Sequence, residues 1–410
     1  MSDLHRILVM CSKFPYPPKD GGTMAMMSMI NGFAKAGHEV TVLTMNTPKH
    51  YVTLSSLPTE IKQKAEFIAV DVNTSVSLVD ALANLLFSNE SYHVRRFTSS
   101  AFRKELEILL SRNQYDLIQM ETLFMAPYLD TIRQLAPNAL VSYRAHNVEH
   151  EIWRRRASNE LNPLKKIVLD TTAIRIEEYE RKVIAENPFD AIIPITGRDN
   201  GELRKMGNSS PNYVCTAGMD MDSLPEQPSE LEWPSLFYLG ALDWEPNKEG
   251  LRWFLKYVWP KVKKKYAGLT LHIAGRNMAR EFYNIGDKQV IIHGEVESAV
   301  EFMKDKAIMI VPILSGSGMR IKILEGLAHR KGIVATRIAA EGMGVRSGEH
   351  LFIANKPQEF ADAISTLIEN RSMYDLISQQ GYQLVEKRFS NDAVVGGLLR
   401  FYEKELKKRG

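Results

Sequence analysis

The chain has 410 residues, 44% of them hydrophobic and 25% charged, with a formal net charge of +3. That length sets two domains as the natural expectation, each able to bury its own core, and the mild positive balance argues against a nucleic-acid binder, which usually carries a stronger, clustered excess. Cys11 and Cys215 stand in no paired or metal-ligand spacing, and the apolar run 7–11 behind a polar start is too short for a signal peptide. With no run of the roughly 18 apolar residues a membrane span needs, a cytoplasmic protein with reduced, buried thiols is expected.

Residues 7–11 are the continuous apolar run of a strand buried on both faces, as in a parallel sheet. The Pro-rich loop Phe14-Pro15-Tyr16-Pro17-Pro18 and then Asp20-Gly21-Gly22-Thr23 follow it. A helical pattern comes next, with Met26, Met29, Ile30 and Phe33 on one face and Gly37 placed to end it. Residues 40–43 complete a β-loop-α-β unit, and strands are expected again at 67–70, 117–120, 140–143 and 191–195. The segment 221–235 carries Pro225, Pro228 and Pro234 among polar residues, the composition of a linker. Beyond it a second series is expected, with strands at 237–239, 269–274, 290–293, 308–311, 333–335 and 351–354.

The expected fold class is therefore α/β, with two Rossmann-like doubly wound domains facing across a cleft. The first covers 1–220 and the second 236–388, joined by the linker 221–235; residues 389–410 are expected to form a helix packing back toward the first domain. Open sheets of this kind bind ligands beyond the carboxyl ends of their strands.

The segment Ser315-Gly316-Ser317-Gly318-Met319-Arg320-Ile321-Lys322-Ile323-Leu324-Glu325 follows the expected strand 308–311 and Pro312. Gly and Ser let backbone N–H groups approach an anion, and the helix behind them points its positive end at the same place. Arg320 and Lys322 add charge suited to a diphosphate, and Glu325, two turns into the helix, can hold a ribose diol. The plainer alternative is a polar turn with Lys322 and Glu325 as an i,i+3 ion pair. Asp20-Gly21-Gly22-Thr23 is a glycine pair before a helix, without the G-x-G-x-x-G of a dinucleotide site. Arg144-Ala145-His146-Asn147 ends one expected strand and Glu121 another. Residues 153–166 hold Arg154, Arg155, Arg156, Lys165 and Lys166 beside Trp153 and Leu164. Such a stretch can lie on an anionic membrane, although a solvated face is the more ordinary reading and is preferred.

The segment 315–328 resembles the donor-site signature of glycosyltransferase family 4, a family of GT-B fold. Tyr238-Leu239-Gly240-Ala241-Leu242-Asp243-Trp244-Glu245-Pro246-Asn247-Lys248 is similar to the opening of that family's C-terminal domain in the branch making bacterial surface polysaccharides. Lys331-Gly332-Ile333-Val334-Ala335-Thr336 and Ala340-Glu341-Gly342-Met343 fit as well. The resemblance covers nearly the whole chain and is clearest over 236–345. It implies a retaining transferase that moves a sugar from a nucleotide-diphosphate sugar to a glycan or lipid-linked acceptor, with no metal and no cofactor.

Carried onto this chain, the resemblance makes Glu325 the second of two family glutamates, the one that holds the ribose; the first falls on Ser317. The family's diphosphate-binding Arg after the Gly matched by Gly240 is replaced by Ala241, and its partner Lys is displaced to Lys248. Arg320 and Lys322 then become the expected counter-charges, with Gly316, Ser317, Gly318 and Met319 around them. Gly21 and Gly22 match the loop near donor phosphate and acceptor. Arg276 and His293 fall on the nucleotide side, and His146 matches a histidine near the reacting sugar. Glu121, Arg144 and Asn147 are expected on the acceptor side. Asp220-Met221-Asp222 reads as structural. Two other readings stay open: a GT-B nucleotide-sugar epimerase, which needs no acceptor, and a degenerate GT-B domain that only binds partners.

Overall fold

The computed structural model describes residues 4–18, 20–75, 91–158, 160, 162–186, 188–216, 218–221, 224, 230–315 and 319–409. They form two compact units, Met1–Gly218 with Asn391–Gly410, and Met219–Ser390.

The first unit is built on a six-stranded parallel sheet of β1 (Arg6–Cys11), β2 (Glu39–Asn46), β3 (Glu66–Asp71), β4 (Leu117–Glu121), β5 (Leu140–Ala145) and β6 (Ala191–Pro194), ordered β3-β2-β1-β4-β5-β6. The chain winds outward from β1 to β3 and then restarts on the other side of β1 with β4. The reversal makes β1/β4 the topological switch point, where ligands bind in open α/β sheets. Cys11 lies beside Glu121 and Glu121 beside Arg144, so the ends of β1, β4 and β5 are level. Helices cover both faces, and β4 and β5 are buried at every residue. The final helix, Asn391–Leu406, belongs to this unit. It buries Val394, Val395, Leu398, Leu399 and Tyr402, and a side chain at Gly32 in the helix Gly21–Lys35 would collide with Val395. Asn391 Nδ2 donates to Ser28 O at 2.9 Å, fixing where the returning chain meets that helix.

The second unit repeats the topology. Its strands are β7 (Glu232–Leu239), β8 (Thr270–Ala274), β9 (Val290–Gly294), β10 (Lys306–Val311), β11 (Gly332–Ala335) and β12 (Phe352–Ile353), ordered β12-β11-β10-β7-β8-β9 and all parallel. Here the switch point lies between β7 and β10. Strand β7 starts at Glu232, inside the stretch whose prolines read as linker. It tolerates Pro234, which has no N–H for the ladder, where the β7–β10 register shifts between Lys306 and Ile308. No helix among the described residues is long and apolar enough to cross a membrane.

Candidate active site

At the switch point of the second unit the strand ends are tied by their backbones. Gly240 N donates to Ala274 O at 3.1 Å, Gly275 N to Gly294 O at 2.7 Å and Leu242 N to Arg276 O at 2.9 Å. Gly275 has to be glycine, because a Cβ there would overlap Gly240 O. Trp244 caps the helix Glu245–Trp253, in which Gly250 passes so close to Pro312 O that no side chain fits. This closes the gap between the segments after β7 and β10. Asn247 Nδ2 donates to Ala241 O at 2.7 Å, and Ser315 Oγ donates to Glu249 Oε2 at 2.8 Å.

Into this frame comes the helix Ile321–Ala328. Arg320 precedes it in a non-helical conformation (φ −92°, ψ 87°), which brings Glu325 to a little over one turn from the helix start, nearer than the two turns expected. The Arg320 guanidinium lies 5.2 Å from the Trp244 ring centre. Lys322 Nζ donates to Leu239 O and Asn247 Oδ1, both at 3.0 Å, and sits 5.1 Å from the Tyr238 ring centre. A Cβ at Gly240 would meet Lys322 Nζ at 2.5 Å, so this glycine makes room for the ammonium. Burial, helped by the nearby charge of Arg320, pulls the Lys322 amine down to about 7. Burial pushes the Glu325 carboxyl up, against the opposing pull of Lys322. An arriving diphosphate would supply the negative charge this ammonium lacks. Asn247, Tyr238 and Trp244 complete the arrangement; all three lie in the segment 238–248 that carries the family resemblance, but their types alone gave them no role in the site.

Of the other donor-side expectations, Arg276 is exposed immediately after Gly275. The His293 ring turns to His272, with Nδ1 of His272 and Nε2 of His293 3.0 Å apart, and lies edge-on to Phe302. Met319 packs against the apolar core. Gly316, Ser317, Gly318 and Asp222 lie outside the described residues.

The first unit puts different chemistry at its switch point. Asp20 caps the helix Gly21–Lys35, accepting from Thr23 N at 2.9 Å. Lys13 Nζ, just past β1, bonds both Asp20 oxygens at 2.7 and 2.8 Å, and His50 Nε2 lies 3.2 Å away. Burial opposes ionisation of Asp20, but Lys13, the Thr23 N–H and His50 overcome it and hold the carboxyl well below its usual range. A Cβ at Gly21 would meet nothing within 4 Å, whereas one at Gly22 would come 3.1 Å from Lys13 Nζ. Gly22 thus lies under a cation that the sequence reading had passed over.

His146 follows β5 and bonds through Nε2 to Glu121 Oε2, in a very short contact. Arg144 Nη1 donates to the same oxygen at 3.3 Å and to Ala25 O at 3.0 Å. Burial favours a neutral Glu121, yet Arg144, His146 and Gln119 outweigh it and keep the carboxyl below its usual range. Burial lowers the His146 ring while Glu121 raises it, with a net fall. An ionised Glu121 only accepts hydrogen bonds, so neutral His146 carries its proton on Nε2 and keeps the lone pair on Nδ1. Glu121 and Arg144 were expected to face an acceptor. Both are fully buried, and they act from beneath His146. Asn147 is exposed. Directly after Glu121, Thr122 has φ 102°, a costly conformation for a β-branched residue, and its hydroxyl donates to Ser12 Oγ at 3.2 Å. On the far side of the His146 loop, Glu180 accepts from Glu149 N at 3.0 Å, His150 N at 3.2 Å and His150 Nδ1 at 2.7 Å, and so anchors the helix Glu149–Ser158. Burial and the Glu180 charge push Glu149 up to about 8.

Solved structures share this architecture over nearly the full chain. HepE of Anabaena in complex with UDP-glucose superposes with a TM-score of 0.56 at 13% identity, over 97% of this chain and 99% of HepE. Sucrose-phosphate synthase from Thermosynechococcus elongatus gives 0.62 at 13%, over 99% and 100%. The fold is GT-B. Residues 233–370 of this GT-B chain match the family model described as Glycosyl transferases group 1, which takes in Gly240, Arg320, Lys322 and Glu325. An uncharacterized 44.6 kDa protein in the cps region of Klebsiella pneumoniae is 23% identical over 406 residues, 96% of this chain and 99% of the relative. The matched family and the fold support glycosyltransferase activity.

Proposed function

We propose that the protein transfers a sugar from a nucleotide-diphosphate sugar to a hydroxyl acceptor in the assembly of a cell-surface glycan, as a retaining hexosyltransferase of the family 4 kind. The observation that carries this is the cluster of Lys322 and Asn247 against Gly240 at the β7/β10 switch point, with Arg320 on Trp244 and Glu325 next along the helix from Lys322, inside the matched region. In this reading Lys322 and Arg320 neutralise charge growing on the leaving diphosphate, and Glu325 accepts from the ribose hydroxyls. His146 offers its Nδ1 lone pair to a hydroxyl of the reacting sugar or acceptor, and Glu121 steadies any positive charge the ring gains. The relative from a cps region supports the glycan role. The test is a thermal-shift screen of nucleoside diphosphates and nucleotide sugars, led by UDP and UDP-glucose. A ligand at a hundredfold excess over its Kd stabilises the fold by about 2.7 kcal/mol; no shift with any member of the panel overturns the proposal.

The acceptor side points to a membrane surface in the same proposal. The helices Glu149–Ser158 and Pro163–Ala185 pair, and Ile167, Val168 and Ile174 are 62, 47 and 52% exposed. Beside them Arg154, Arg155, Arg156, Lys165 and Lys166 are exposed as well. Exposed aliphatics among basic residues fit the boundary of an anionic bilayer, where a lipid-linked acceptor would lie. Sedimentation with phosphatidylglycerol vesicles should carry the protein down, and phosphatidylcholine vesicles should leave it in solution. Ile167→Asp with Val168→Asp should abolish the difference; retention of binding by that variant removes the membrane role.

A further inference from the structure

We infer that Tyr402, on the C-terminal helix, is a positioning residue that sets the orientation and tautomer of His146. The inference rests on the reading of His146 given above, and its first readout does not depend on catalysis.

Strands buried on both faces are ordinarily apolar throughout. Strands β4 and β5 break that rule at alternate positions, Gln119 and Glu121 on one, Ser142 and Arg144 on the other. Alternate residues share a face, and the register sets Gln119 beside Ser142 and Glu121 beside Arg144. The result is two adjoining polar rungs, all four side chains fully buried. The Tyr402 hydroxyl enters this face from the helix Asn391–Leu406, 2.9 Å from Gln119 Oε1 and 2.9 Å from Ser142 Oγ. Tyr402 is itself fully buried.

The direction of each bond follows from what the groups can do. The phenol has one proton, which goes to the amide oxygen of Gln119, and it accepts from the Ser142 hydroxyl. That fixes the amide with its NH2 toward Glu121, where Nε2 donates to Oε1 at 2.5 Å. A turned amide would set its oxygen against a carboxylate oxygen, two acceptors face to face in a dry place. Glu121, held at one oxygen by Gln119, presents the other to Nε2 of His146 and Nη1 of Arg144. The relay therefore runs from Tyr402 through Gln119 and Glu121 to His146. It is closed by a helix that follows the whole second unit in the sequence.

The experiment is Tyr402→Phe, which removes one oxygen and keeps the ring in place, with Ser142→Ala as the partner variant that leaves the Tyr402–Gln119 bond intact. Long-range proton–nitrogen spectra of the ring nitrogens should show His146 as a single Nε2–H tautomer in the unaltered protein and in Ser142→Ala. Tyr402→Phe frees the Gln119 amide to turn its oxygen toward Glu121; the carboxyl then takes up a proton more readily and donates it to His146 Nε2, so a mixture with the Nδ1–H form is expected. Release of nucleoside diphosphate from the nucleotide sugar that binds best should slow about tenfold in Tyr402→Phe, the scale of one hydrogen bond, with nucleotide affinity unchanged. In a His146→Ala background the same substitution should cost nothing further, because the two act as one unit. An unchanged tautomer in Tyr402→Phe, or equal rate losses in both backgrounds, overturns the inference. If Tyr402→Phe does not fold, Gln119→Leu takes its place with the same expected spectra. A tautomer that shifts in a protein that turns over no nucleotide sugar upholds the relay and refutes the transferase reading instead.

Discussion

The two units share one topology and use it in opposite ways. At the β1/β4 switch point the candidate side chain, His146, stands on buried charges paired within the sheet: Glu121 against Arg144, with Gln119 behind. At the β7/β10 switch point the carboxyl ends of the strands are apolar, and the polar groups come from the segments beyond them: glycines that let backbones touch, and cations at the start of the helix Ile321–Ala328. The first arrangement holds a neutral imidazole whose proton is fixed; the second holds positive charge that burial makes costly to maintain, and in the proposed function these become the base and the diphosphate site. Strand order thus locates a site without deciding its chemistry.

The sharpest way to break this contrast is to remove the base and leave the cations. His146→Ala should lower kcat and kcat/KM together by about 10²–10³, the usual cost of a group that acts mainly in the transition state. Affinity for UDP and the melting temperature should stay close to those of the unaltered protein. Wild-type turnover in a stable His146→Ala protein would put the reacting centre elsewhere.

Removing a cation is the converse. Lys322→Ala should weaken UDP by about ten- to a hundredfold, the range for a charged hydrogen bond, and weaken uridine far less. Calorimetric titration of both ligands decides it. The pH dependence carries a definite sign. The free protein holds the Lys322 amine at about 7, and a bound diphosphate favours its charged form, so binding above that pH requires proton uptake. UDP-glucose affinity should be steady below pH 7 and fall as pH rises, because the diphosphate diester itself does not titrate there. Lys322→Arg, charged throughout, should flatten the curve. Gly240→Ala should act on the same group more mildly, about tenfold in UDP affinity, by pressing a methyl against Lys322 Nζ, which the ideal Cβ position meets at 2.5 Å.

The strands were legible because most are unbroken apolar runs, the mark of parallel sheets covered on both faces. The start of β7 was not, since Glu232, Trp233 and Pro234 look like the linker that precedes them. In the second unit Arg320, Lys322 and Glu325 could be picked out by type and spacing, and Gly240 only by the family resemblance. What joins them could not: Lys322 meets Asn247 across 75 positions of sequence. In the first unit Glu121 and Arg144 were visible as polar residues at strand ends, alternating with Gln119 and Ser142, but such alternation fits a solvated face as well as the buried one they occupy. Gln119, which bonds Glu121, meets Tyr402 across 283 positions. Glu149 and Glu180 escaped for the same reason, since their pairing depends on two helices meeting.

The smallest expected effect probes the link between the cation and the carboxylate in the second unit. Glu325→Gln replaces a group that can accept at both oxygens with one that accepts at a single oxygen, so binding should weaken a fewfold for UDP and for uridine alike, because both carry the ribose. That pattern separates it from Lys322→Ala, which should discriminate between the two ligands. A second consequence follows from the charges. Burial lowers the Lys322 amine and Arg320 adds to the fall, while Glu325 raises it. Removing the carboxylate takes away the one opposing influence, so the fall in UDP-glucose affinity with pH should begin at lower pH in Glu325→Gln. The carboxylate would then have two roles in one place, holding the ribose and keeping its neighbour charged near neutrality. Titrations of UDP, uridine and UDP-glucose across pH 6 to 9, on a variant that melts like the unaltered protein, test both. Equal affinities and an unmoved pH profile would leave Glu325 outside the site and return Lys322 to the backbone carbonyl and Asn247 alone.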